Sequence, residues 1–232
     1  MKTTNVKANN LNYDHYETKK YDNDIERVIP GHKEMHREIK KIVIDYKKNN
    51  SVNKIADLGT GTGITAELVM KLNPNAKLIA NDFSKRMIQG AKRRLSKYNV
   101  NYIFGDFSEI NFGDNFDIVM TIIGLHHQNT EGKKKVFHKI YDSLKKGGVF
   151  ILGDLVTYKN KQEAAYNDAK HFAHMVEKAD DEKSLKEWAY HHKFLNDPAP
   201  IEHQIKWLKD TGFKKVIIKY KYLNTALIIA YK

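Results

Sequence analysis

The feature that most restricts the fold is a nine-residue stretch, IADLGTGTG, from Ile55 to Gly63. An apolar run leads into three glycines, and an amphipathic run, ITAELVMKL at 64–72, follows them. Glycines at alternate positions permit a tight turn and let a ligand approach the backbone. The start of the next helix offers free N–H groups. Strand, glycine turn and helix in that order imply a parallel α/β sheet. A dinucleotide site would need G-x-G-x-x-G. Counted from Gly59, the third glycine of that pattern falls on Ile64, so the pattern fails. Asp57 stands two residues before the turn. A carboxylate there repels a pyrophosphate and suits an ammonium group.

The alternation continues through residues 52–158. VNKIADL (52–58), KLIAND (77–82), NVNYIFG (99–105), FDIVMTIIG (116–124) and VFILGDLV (149–156) read as strands. Between them SKRMIQGAKRRLSKY (84–98), with Ser84 as N-cap, and KKVFHKIYDSL (134–144), stopped at Lys146-Gly147-Gly148, read as helices. The rhythm then breaks. Residues 160–195 carry helical patterning and no strand. IEHQIKWLKDTGF (201–213) is a helix ended by Gly212, and KVIIKYKY (215–222) and TALIIAYK (225–232) flank Leu223-Asn224 as a hairpin on the sheet edge. The N-terminal ~50 residues hold a polar, Tyr-rich segment and a helix from about Gly31 to Lys47. The expected architecture is a Rossmann-like, seven-stranded, mostly parallel sheet with an antiparallel C-terminal hairpin. It carries an N-terminal helical lid (1–48), a core (49–158), a helical cap inserted after the fifth strand (159–198), and a C-terminal helix and hairpin (199–232) that complete one domain.

The chain has no cysteine, which excludes disulfides, thiolate metal sites and cysteine nucleophiles. Its basic start leads into no apolar stretch, so no signal peptide is expected. No run approaches the roughly 18 apolar residues of a membrane helix. The expectation is a cytoplasmic protein, a monomer or homodimer, with no membrane partner. The net charge of +12 is open to two readings. It fits nucleic-acid phosphates, or it is the charge of a lysine-rich chain whose lysines scatter along its length.

Five parallel strands closed by an antiparallel hairpin resemble the class I methyltransferases, and residues 50–158 carry that resemblance. It implies an S-adenosylmethionine (SAM) cofactor, with S-adenosylhomocysteine as product. It assigns Asp57, Gly59, Thr60, Gly61 and Gly63 to the cofactor turn. Asp82 would accept from the ribose hydroxyls, or else face the dipole of the helix it precedes. Phe83 would pack on the adenine or act as a helix staple, with Met87 beside it. Asp106 would receive the adenine amino group, and Phe107 would meet the ring. Thr121 and Ile122 border the methionine portion, and His32 its carboxylate. More loosely, YDNDIERVIPGHKEM (21–35) and IEHQIKWLKDTGFKKV resemble enzymes of the tRNA uridine carboxymethoxy pathway. In the carboxy-SAM synthase of that pathway a Tyr follows the Pro-Gly, where this chain has His32. That enzyme holds the extra carboxylate with a cap arginine, and here no arginine follows Arg94. The resemblance therefore implies ordinary methyl donation to a small-molecule acceptor at N, O or C. An RNA (tRNA) methyltransferase and a carboxy-SAM synthase are the alternatives.

Methyl transfer from a sulfonium needs alignment and proton removal, and no metal or nucleophilic side chain is expected. His126 and His127, after the fourth strand, are the candidate bases, His127 ahead of His126. The alternative is that one caps a loop and the other packs. Tyr13, Tyr16 and Tyr21 belong to the lid. Tyr21 would close over the cofactor and bond a strand-4 histidine, or pack with its hydroxyl in solvent. Residues 8–27 are expected to be mobile without ligand and closed with it. His171 and His174 share a helix face, as a metal pair or as pocket-lining residues. The aromatic insertion suggests a planar or apolar acceptor.

Overall fold

A computed structural model of the chain describes residues 11, 13–15 and 17–232. Tyr16 and residues 8–10 and 12 of the expected lid lie outside them. The strands are β1 (Lys54–Leu58), β2 (Lys77–Asp82), β3 (Val100–Phe104), β4 (Phe116–Ile122), β5 (Leu144–Leu155), β6 (Lys215–Tyr222) and β7 (Thr225–Tyr231). They form one sheet in the order β3-β2-β1-β4-β5-β7-β6. β1 to β5 run parallel, and β7 pairs antiparallel with both β5 and β6. This is the expected architecture, and the strand order reverses beside β1, where ligands settle on open α/β sheets.

Alternation along the strands explains the two layers. Ile118, Met120, Val149 and Ile151 point to one face, where they meet α2 (His32–Lys47) and α3 (Ile64–Leu72). Val119, Phe150 and Leu152 point to the other and meet α5 (Thr130–Ser143) and α8 (Ile201–Thr211). The central strands are buried on both faces, as parallel sheets require, at roughly 1.5–3 kcal/mol for each large apolar side chain.

Several boundaries move. α4 spans Lys85–Arg94, shorter than expected, and Ser84 caps it by accepting the Met87 N–H. α5 starts at Thr130 because the Asn129 side chain accepts from Gly132 and opens the helix a turn early. β5 begins at Leu144 and absorbs the two glycines, with Gly147 in the left-handed region at φ 79.

The lid holds a helix that the sequence pattern did not announce, α1 (Thr18–Val28). Its one fully buried residue is Asp24, and its apolar stripe is short, Tyr21, Ile25 and Val28, all half-buried. Polar contacts add to that stripe. The Asp22 carboxylate accepts from Thr62 and from Arg94. Arg27 pairs with Asp180 and lies over the Trp188 ring at 5.5 Å. The cap comprises α6 (Lys161–Lys178), α7 (Glu182–Tyr190) and a π-helical turn at His191–Leu195. His171 and His174 donate from Nε2 to the carbonyls of Val28 and Arg27, both at 2.8 Å. They close the C-terminal carbonyls that α1 leaves open, and so bolt lid to cap. Among the described residues no helix is long and apolar enough to cross a membrane.

Candidate functional site

The glycine turn after β1 is held from below by two acids. Thr60 donates its hydroxyl to Asp57 at 2.7 Å, and its N–H reaches the Asn81 carbonyl at 2.7 Å. Gly61 N–H and Ser84 N–H each donate to Asp82 at 2.8 Å, so one carboxylate ties the turn to the start of α4. Gly59 and Gly61 have φ of 74 and 56, a region that other residues enter at a cost of roughly 1–2 kcal/mol. Burial pushes Asp57 up to about 7 and Asp82 up to about 6. Asp82, which lines a cavity, therefore gains from a ligand that donates hydrogen bonds or brings positive charge.

Two cavities of about 40 Å³ each flank this turn. Asp82, Phe83, Met87 and Phe107 line the first, and His32, His36, Thr62, Thr65 and Ile122 border the second. A third, of about 70 Å³, lies under the cap between Ile25, Val28, Leu155, Met175 and Trp188. Tyr21 and Ile123 line all three. Tyr21 crosses the turn so closely that a Cβ on Gly61 would meet its ring at 3.8 Å. Ile123 has φ 53, and its N–H is fixed to the Gly153 carbonyl at 2.7 Å. A β-branched residue in that region stores on the order of 1–3 kcal/mol of strain, which collects at ligand clamps. Asp57, Asp106 and Thr121 border none of the three cavities. Asp57 sits beneath Thr60, Asp106 accepts from the Ser108 N–H, and Thr121 Oγ1 is buried without a hydrogen-bond partner.

Both strand-4 histidines are buried and oriented. The Asp154 carboxylate lies 2.5 Å from Nδ1 of His126, and the Leu195 carbonyl 3.0 Å from Nδ1 of His127. With Nδ1 of each donating its proton to these acceptors, Nε2 carries the lone pair. Burial drives both imidazoles well below their ordinary range, so they are neutral at pH 7. Tyr13 of the lid reaches His127 and the cap's His191. Its hydroxyl lies 3.2 Å from His127 Nε2 and 3.4 Å from His191 Nε2. His32 is pushed down to about 3 by burial, so it meets an anion as a neutral donor.

Residues 55–148 match a family described as a methyltransferase domain. That stretch is a methyltransferase domain. Over 222 residues it is 28% identical to a carboxy-S-adenosyl-L-methionine synthase of Nautilia profundicola, spanning 91% of this chain and 90% of that one. It is 26% identical to the same-named protein of Helicobacter hepaticus, with the same coverage. The fold is shared with solved structures. The plantazolicin methyltransferase BpumL superposes with a TM-score of 0.68 at 13% identity, over 92% of this chain and 90% of that one. Human N-acetylserotonin methyltransferase, solved with SAM, gives 0.59 at 18% identity, over 85% of this chain and 51% of that one.

The residues present fit SAM. The positive φ at Gly59 and Gly61 opens the backbone to a ligand, and the two flanking cavities divide into an apolar side and a polar side. The methyltransferase's sequence motifs had marked the glycine turn, Asp82, Phe83, Met87 and Phe107. They had not marked His36, Thr62, Asp24 or Ile123. His36 was legible only as part of a helix, and nothing in Ile122-Ile123-Gly124 announces a left-handed isoleucine.

Proposed function

We propose that this methyltransferase transfers a methyl group to a small-molecule acceptor held under the cap. The observation that carries this reading is the meeting of the three cavities at Tyr21 and Ile123. Adenosine would lie against Phe83, Met87 and Phe107, with its ribose hydroxyls on Asp82. Methionine would lie along Thr60, Thr62 and Ile122, with its carboxylate toward His32 and His36. Bound SAM supplies a methyl group on a positively charged sulfur, open to in-line attack. Tyr21 and Ile123 exclude water from that point, and closure of the lid completes the pocket. His126, which lines the cap cavity, and His127, which lines the adenosine side with its Nδ1 held by the Leu195 carbonyl, would serve as the bases for the acceptor's proton. The apolar walls and small volume favour a compact, largely apolar acceptor over an RNA strand.

The names of the relatives favour a second reading, a carboxy-SAM synthase. The lining of the cap cavity weighs against it. Among the described residues it contains no lysine or arginine, and it holds the Asp24 carboxyl, so a second carboxylate on the cofactor would find repulsion and no cation there. Mass spectrometry of small molecules released from the purified protein tests the choice. SAM or S-adenosylhomocysteine is expected. A carboxylated SAM would overturn methyl donation.

A further inference from the structure

Three imidazoles, those of His126, His127 and His191, converge beside the cap cavity, with one ring nitrogen of each within 4.8 Å of the others. They come from two distant places, the turn after β4 and the π-helical turn after α7. Widened turns of that kind are rare and collect at functional sites. The second-layer contacts are those of metal ligands. His126 is held at Nδ1 by a carboxylate and His127 at Nδ1 by a backbone carbonyl, which leaves Nε2 of each as the donor for an ion. A phenol oxygen, that of Tyr13, already stands 3.2 and 3.4 Å from two of the nitrogens. Four donors on a tetrahedral ion with bonds of about 2.1 Å would stand about 3.4 Å apart.

We propose that His126, His127 and His191, with the Tyr13 oxygen as fourth donor, bind one divalent transition-metal ion of the zinc type beside the acceptor cavity. Neutral imidazoles suit such an ion, and the chain offers no thiolate to compete. His191 is only partly buried and supplies the small inward movement that the bonds require. Displacing Tyr13 would leave one position open toward the cavity, where an acceptor hydroxyl or amine could coordinate. This role rests on the reading of the cap cavity as the acceptor site. The ion would then replace His127 as the group that eases proton loss from the acceptor.

Chelator-treated full-length protein is titrated with Co²⁺ and with Zn²⁺, followed by visible absorption and calorimetry. The variants are His191→Ala and Tyr13→Phe, and S-adenosylhomocysteine affinity is measured in every sample. One ion per chain with a tetrahedral cobalt spectrum is expected. His191→Ala should weaken binding on the order of 100-fold or more, and Tyr13→Phe should retain the ion with an altered spectrum. Absence of a cobalt site, or one that survives His191→Ala unchanged, overturns the proposal. Retained S-adenosylhomocysteine binding in that case leaves the cofactor reading standing and removes this inference alone.

Discussion

The two halves of the cleft are built by different means. On the β1–β2 side, the polar groups come from residues close in sequence. Asp57, Thr60 and Gly61 span five positions, and Asp82 and Ser84 bracket one turn. Backbone amides satisfy much of the carboxylate charge, and burial raises both acids. On the β4–β5 side, the polar groups arrive from four segments. His126 and His127, Asp154, His171, and His191 with His192 meet only in the folded chain. Burial lowers His126, His127, His171 and His191. The first half tolerates local change because neighbouring amides can rearrange. The second is a buried network in which each loss strands a partner.

The largest expected effect follows from that difference. Asp154→Ala leaves the buried His126 Nδ1–H without its acceptor, and should cost about 3 kcal/mol of folding stability, read by urea unfolding. A loss below about 1 kcal/mol would remove the contrast between the halves. Asp82→Ala should instead act on the ligand, weakening S-adenosylhomocysteine binding by about 1–3 kcal/mol, the range for a hydrogen bond to a charged group. An unchanged dissociation constant would return Asp82 to the alternative of capping α4.

Acid separates the halves by sign. His171 and His191 are lowered to about 3 and about 4. Their contribution is complete above the unfolded value of 6.5 and is lost as pH falls toward the folded values. Asp57 and Asp82 are raised, so their contribution is present below 3.8 and is lost as pH rises through about 6–7. Melting between pH 6.5 and pH 5 should therefore show an acid-side loss of about 1–2 kcal/mol per buried histidine, reduced in His171→Gln. An acid limb identical in that variant would contradict the assignment. The smallest effect is in the lid. Amide exchange over residues 17–28 should slow on adding S-adenosylhomocysteine, and no change would make α1 a fixed arm.

The legible parts of the site were those written in consecutive residues. The glycine turn, the acid at the end of β2 and the hairpin Lys215–Tyr231 follow from local pattern, because backbone conformation and period-two burial are local properties. α1 was not legible, since Asp22 and Arg27 earn their roles only against Thr62, Arg94 and Asp180. The contact of Tyr13 with His127, across 114 positions, could not be read from spacing. His171 and His174 share a helix face as expected, yet they serve the carbonyls of α1. The alternation of apolar residues predicts which face is buried, and says nothing of which distant polar group waits there.

The central claim is that the cofactor lies along the turn at Gly59–Gly63, beneath Tyr21. Calorimetric titration of S-adenosylhomocysteine into the wild type and Gly61→Val tests it most directly. Valine at φ 56 would carry a Cβ toward the Tyr21 ring at 3.8 Å, and its branches would enter the cleft. One site per chain in the wild type, with binding lost in a folded Gly61→Val, is the predicted result. Equal affinity in both proteins would contradict the account.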